Sequence, residues 1–135
     1  MRIIVCVDLK NGMMFNKRRQ SQNRMVRRDI LRMTGEDKLW MNHYSYGQFS
    51  NDMGNIFVDE DFLKNAVEDD YCFVENCKLA DIQAEQLILY RWNKIYPSDV
   101  KLDADMREWH LISQLEIEGY SHDKIAKEVY EKHEK

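Results

Sequence analysis

Five consecutive apolar residues, Ile3-Ile4-Val5-Cys6-Val7, stand between Arg2 and Asp8. No polar side chain interrupts them, so neither face of the segment can turn to water. Their β-branched character makes the segment a strand buried on both sides. Such strands belong to parallel or mixed sheets with helices on both faces. A polar loop follows, from Asn11-Gly12 through Phe15 into Lys17-Arg18-Arg19-Gln20-Ser21. It leaves the C-terminal end of the strand, the edge at which open α/β sheets usually bind ligands.

The rest of the chain repeats the theme. Met25, Val26, Ile30 and Met33 recur at helical spacing, and Gly35 offers a stop, which predicts a helix over residues 23–34. Short apolar runs predict strands at 38–42, 55–58, 71–75 and 87–93. In the last of these Ile88, Tyr90 and Trp92 share one face, and Leu87 and Leu89 the other. Helical turns are expected within 44–49. A helix capped by Asp59 is expected to bury Phe62, Leu63, Ala66 and Val67, and a short piece capped by Asp81 to end near Gln86. Pro97 precedes an edge strand at 100–102. From Met106 the period becomes helical. Trp109, Ile112 and Leu115 form a stripe, and after Gly119 Ser121 caps a helix bearing Ile125, Ala126, Val129 and Tyr130. The predicted fold is thus α/β, three-layered, with a mostly parallel or mixed sheet over residues 1–105. A C-terminal helical pair, residues 106–135, packs on the same domain.

With 135 residues, 44% hydrophobic and 33% charged, the chain can bury one substantial core. Its net charge of −4 is unevenly spread. Between residues 16 and 32 seven Lys and Arg face one acid, and between 59 and 85 nine acids face two lysines, a polarity that the fold neutralises or a partner reads. Cys6, Cys72 and Cys77 form no paired motif, and two of them sit in apolar runs, so free thiols in a reducing cytoplasm are expected. No run reaches the roughly 18 residues of a membrane span.

Chemistry is harder to find. His43, His110, His122 and His133 show no metal-binding spacing, so no metal is expected. The serines lack a nucleophile elbow, and no glycine-rich phosphate loop occurs, which implies no cofactor. The segment from residue 118 to 130 is like the first helix of a helix-turn-helix, with too little chain after it for a second.

Two resemblances add to this. The opening strand, Asn11-Gly12, a helix carrying Asp29, Leu39-Trp-Met-Asn42, Tyr71-Cys-Phe-Val-Glu75 and Leu87-Ile-Leu-Tyr90 leading to Asp99 together resemble dihydrofolate reductase over residues 1–105. At the diagnostic positions the chain departs from that family. The glycine pair that admits dinucleotide phosphate is Glu75-Asn76 here, and the Gly-Arg after the second strand is Asn42-His43. A carboxylate at Glu75 would repel a pyrophosphate, so the resemblance implies the fold without the reductase activity. The pieces Asn11-Gly-Met, Arg18-Arg-Gln-Ser21, Leu39-Trp-Met-Asn42, Trp92-Asn93, Tyr96-Pro97 and Ser121-His-Asp-Lys-Ile125 are similar to a family of short bacterial proteins often labelled ribonuclease Z. The His-x-His-x-Asp-His zinc motif of true ribonuclease Z is absent from this sequence.

Three functional readings follow. The first is a small soluble non-catalytic module binding a protein or small molecule, with Asp8, Asn11, Arg18, Arg19, Ser21, Asp29, Asn42 and Tyr44 around its pocket. Arg18 and Arg19 are assigned there to binding rather than to stability. A phage or mobile-element inhibitor fits the same description. The second reading is RNA or nucleotide binding through the basic 17–32 segment, with Lys17, Arg24, Arg27 and Arg28 beside Arg18 and Arg19. The third is a diverged reductase-like enzyme using Asp8 or Asp29 as general acid or base. Arg27 and Arg28, next to Asp29 in sequence, are expected to lower its pKa.

Overall fold

A computed structural model describes residues 1–19, 23–49, 54–80, 82–118 and 124–132. The apolar opening is β1 (Arg2–Val7), paired in parallel with β6 (Tyr71–Val74) on one side and β7 (Gln86–Trp92) on the other. Beyond β6 lie β4 (Leu39–Met41) and then β5 (Ile56–Val58), both parallel. Beyond β7 lie β10 (Lys124–Lys132) and β9 (Trp109–Glu118), both antiparallel. The seven-stranded order is β5-β4-β6-β1-β7-β10-β9. A second, three-stranded sheet has the order β3-β2-β8, from β2 (Gly12–Phe15), β3 (Arg18–Arg19) and β8 (Val100–Lys101).

Side-chain alternation along the buried strands divides the core in two. Ile3, Val5, Val7, Leu87 and Leu89 join one cluster with Phe62 of α3 (Phe62–Asn65). Ile4, Phe73, Ile88, Tyr90 and Trp92 join the other, with Val26 and Ile30 of α1 (Arg24–Thr34) and Phe49 of α2 (His43–Phe49). The two faces expected of β7 are therefore the two faces observed. α1 begins where Asn23 accepts a hydrogen bond from the Met25 amide at 2.8 Å and ends at Gly35, whose combination of φ 56° and ψ −121° favours a residue without a Cβ.

The C-terminal segment departs from expectation. The expected helical pair is a short 3₁₀ turn, Met106–Glu108, followed by the β9–β10 hairpin. The stripe of Trp109, Ile112 and Leu115 has a local cause. The ladder shifts register between Val129 and Tyr130, whose partners are Ser113 and Leu111, so Ile112 is an extra residue on β9. That bulge breaks the twofold alternation and leaves a spacing of three. In β10, Ile125 and Val129 lie four apart, a separation that suits one helical face and one strand face equally. Ser121 and Gly119, assigned to the cap and the break, lie outside the described residues, as does Asp81; residues 82–84 are not helical. The helix expected to start at an Asp59 cap shortens to Phe62–Asn65 with Asp61 at its N-cap. Val67, expected on its buried face, therefore lies beyond it and is exposed. Val100–Lys101 joins the small sheet by pairing with β2, not the main one.

Candidate functional site

The parallel strands β1, β4 and β6 end at the same edge, and each is followed at once by a buried polar residue: Asp8, Asn42 and Glu75. A polar group that follows a buried strand without exposure needs partners in the protein. Asp8 finds them in backbone. Its Oδ1 accepts from the Lys10 and Gly12 amides at 2.8 Å each, and its Oδ2 from the Tyr96 amide at 3.0 Å. This carboxylate shapes the β1–β2 turn, in which Asn11 has a φ of 62°, and pins the loop after β7 to it. Asn42 caps α2, accepting from the Ser45 amide at 2.9 Å, and donates to Asn76 at 2.9 Å.

Glu75 is satisfied by a side chain that reaches it from the basic loop. Asn16 and Lys17 take left-handed conformations, φ 51° and 62°, and form the two-residue turn between β2 and β3. That hairpin carries Arg19 back over the sheet edge. Its Nε donates to Glu75 Oε2 at 2.8 Å and its Nη2 to Oε1 at 3.1 Å. The guanidinium also lies over the Tyr44 ring, 4.4 Å from the centroid, while the Arg19 amide donates to the Tyr44 hydroxyl at 2.9 Å. Burial disfavours the charge on Arg19, but the bond to Glu75 outweighs it and its pKa is raised. A bidentate arginine–carboxylate pair out of water is among the stronger polar contacts a protein makes. The space left beside it, bounded by Cys6, Asp8, Trp92 and Tyr96, is a cavity of about 10 Å³, room for one water. The Cys6 thiol beside it has its pKa raised by burial and then by Glu75.

On the outer side of the same hairpin is a groove of about 480 Å³ lined by Phe15, Asn16, Arg18, Arg19, Tyr96 and Pro97. This volume lies in the range of small-molecule sites. Phe15 is 42% exposed, an apolar ring beside the exposed cation of Arg18.

The expected site is therefore gathered in part. Asp8, Arg19, Tyr44 and Asn42 come to one sheet edge, and Arg18 faces outward from it. Arg19 is part of the fold, contrary to its assignment to binding alone, because its guanidinium partners a buried carboxylate. Asn11 turns to Arg91, whose Nη1 donates at 2.8 Å both to its side chain and to the Asp8 carbonyl. Ser21 lies outside the described residues. Asp29 belongs elsewhere: on α1, buried against the sheet, it accepts from Tyr90 at 2.6 Å, from Lys127 at 2.8 Å and from Arg32 at 2.8 Å. Burial raises its pKa, but the bonds from Lys127, Tyr90 and Arg32 prevail, and the net shift is downward. The basic neighbours in sequence, Arg27 and Arg28, are not the cause. Such a carboxylate stays ionised, and both of its oxygens are engaged by donors of the protein itself. Of the remaining basic residues, Lys17 sits in the hairpin turn, and Arg24, Arg27 and Arg28 lie on α1. Glu75 as the partner of Arg19, and Tyr96 as the residue locked to Asp8, were legible only as polar residues after strands.

Among the described residues no cluster of three His, Cys, Asp or Glu side chains could hold a metal, and no helix is long and apolar enough to cross a membrane. No protein-family model matches the chain, and no curated protein matches it in sequence. The short-protein likeness labelled ribonuclease Z thus gains no support. Solved structures match in fold, 249 chains in all. One is dihydrofolate reductase from Enterococcus faecalis complexed with NADP(H) and RAB-propyl. It aligns with a TM-score of 0.69 at 9% identity over 98% of this chain and 96% of that one. At that identity the likeness speaks for architecture alone, and it extends through the C-terminal hairpin. This chain has a dihydrofolate reductase-like fold.

Proposed function

We propose that this protein is a non-catalytic binding module, and that its protein or small-molecule partner meets the basic hairpin from outside, at Phe15, Arg18, Tyr96 and Pro97. The observation that carries this reading is the Arg19–Glu75 pair. It fills the sheet edge where a ligand would otherwise enter, leaving about 10 Å³. General acid–base chemistry needs a titratable group within reach of a substrate proton. Asp8 is held by three backbone amides and Asp29 by three cationic or hydroxyl donors. The outer groove, in contrast, offers a cation and an exposed aromatic ring, which suits an acidic group next to an apolar one.

The fold itself favours a second reading, a diverged reductase-like enzyme. Against it stands the Glu75 carboxylate, at a position where a dinucleotide phosphate would have to approach. RNA or nucleotide binding is the third reading, and the division of the basic residues between the hairpin turn and α1 is what it would have to bridge. One set of titrations separates all three. Thermal unfolding is followed with NADPH and with a dodecauridylate, and host lysate is passed over immobilised protein and its Phe15→Ala/Arg18→Ala variant. The binding-module reading expects no NADPH-dependent or RNA-dependent shift, and a retained partner that the variant loses. Saturable stabilisation by NADPH would replace it with the reductase-like reading, and a salt-sensitive shift with the oligonucleotide would replace it with the nucleic-acid one.

A further inference from the structure

β9 is the last strand of the seven-stranded sheet, and among the described residues no strand pairs with its outer edge. A free edge is usually short, or guarded by lysine or proline. This one is ten residues long, Trp109–Glu118, and contains neither. Leu111, Ile112 and Leu115 on it are 42%, 45% and 49% exposed. Its single irregularity is the extra residue Ile112, which leaves the stretch from Ser113 onward in regular register with β10.

Beside that regular half runs a groove of about 340 Å³ between β9 and α1. Leu115 and Ile117 of β9 and Met25 of α1 give it apolar lining, and Arg28 and Arg32 of α1 line it with cations. The Arg32 side chain is 82% exposed even while bonded to Asp29. Asp29 is turned inward to Tyr90 and Lys127, and among the described residues Glu116 is the other carboxylate lining the groove.

We infer that an extended acidic segment of a partner protein adds to the sheet as an eighth strand along Ser113–Ile117, its carboxylates facing Arg28 and Arg32. Backbone hydrogen bonds to an open edge supply affinity in such strand addition, and side chains beside it supply specificity. Charge decides the occupant. A second copy pairing antiparallel through β9 would be related by a twofold axis perpendicular to the sheet. Both α1 helices would then lie on the same face, and their arginines would confront one another across Leu115. An acidic strand meets the same arginines with opposite charge. This site is separate from the hairpin groove and stands or falls independently of it.

The probes are two acetylated hexapeptides, one alternating glutamate and valine, the other lysine and valine, titrated into the full-length ¹⁵N-labelled protein. The glutamate peptide is expected to shift the amides of residues 113–117 saturably, and to bind at least about tenfold more tightly than the lysine peptide, as opposite rather than like charges require. Arg28→Glu, at an exposed position of α1, should erase or invert that preference, and Arg28→Glu with Arg32→Glu should invert it further. Light scattering on the same samples reports self-association. The inference is overturned if neither peptide shifts these amides, if the two bind equally, or if the protein dimerises with those amides protected. It is equally overturned if a dodecauridylate moves these amides while the glutamate peptide does not.

Discussion

Arg19 and Glu75 lie 56 residues apart in the chain and are joined by two hydrogen bonds of 2.8 and 3.1 Å, with only 6% of the Glu75 side chain exposed. The pair links the basic segment after β1 to the acidic segment around β6, so part of the charge polarity of the sequence is cancelled inside the molecule. It also fixes the hairpin as a plug over the sheet edge.

Removing one half of this pair leaves the other buried and unmatched. Arg19→Ala should destabilise the protein by about 1.5–3 kcal/mol, the range for hydrogen bonds to charged groups. Arg18→Ala, from an exposed position on the same short strand, should stay within about 0.5 kcal/mol of the parent. In urea denaturation the Arg19→Ala/Glu75→Gln double variant should recover part of the loss, with a coupling energy of about 1–3 kcal/mol. Equal effects at Arg18 and Arg19 would show that the pair has no structural weight.

Asp29 gives the stability a specific acid limb. Its folded pKa lies below the ordinary value, so the unfolded chain takes up its proton first as pH falls. The stabilisation is complete above the unfolded pKa, about 4, and is lost as pH drops through the folded value. Asp29→Asn should be less stable than the parent at neutral pH and lose less on acidification below about 4. Melting temperatures of both proteins across that range check the prediction; parallel curves would contradict it.

The thiols should divide by burial. Cys72 is buried and its pKa is pushed up to about 12 by desolvation. Burial raises Cys6 as well, and Cys77, half-buried, is raised by burial and then by Glu60. A maleimide reagent at neutral pH should modify the native protein slowly and first at Cys77, with Cys6 and Cys72 reacting on unfolding, because the thiolate is the reactive form. Mass spectrometry of a time course reads the order.

Ile88 is 1% exposed and lies on the face of β7 that meets α1. Ile88→Ala should cost about 2–5 kcal/mol, the usual penalty for a large-to-small change in a packed core. Leu115→Ala on the open edge should change stability by less than about 0.5 kcal/mol. Chemical denaturation midpoints compare the two directly.

The central sheet could be read from residues such as Ile3–Val7 and Leu87–Tyr90 because a strand buried on both faces has an unbroken apolar run that nothing else of that length explains. The two faces of β7 followed from simple alternation. The C-terminal hairpin escaped because one bulged residue, Ile112, changed the phase of that alternation and imitated a helix. At the site, Asp8, Asn42, Tyr44 and Arg19 were found from their place near strand ends. The choice of Glu75 as the partner of Arg19 was not, since a contact across 56 residues depends on where the β2–β3 hairpin folds back. Asp29 was misplaced for a related reason: its partners Tyr90 and Lys127 come from distant strands, and only its neighbours on α1 are visible in the sequence.

The plug itself is most directly tested by the ¹⁵N signal of the Arg19 Nε–H group at neutral pH. If Arg19 is locked onto Glu75, that proton should give a resolved, slowly exchanging cross-peak that disappears in Glu75→Gln while the backbone spectrum stays folded. An Arg19 Nε–H that exchanges as fast as that of Arg18 would mean that the sheet edge is open, and would contradict the account.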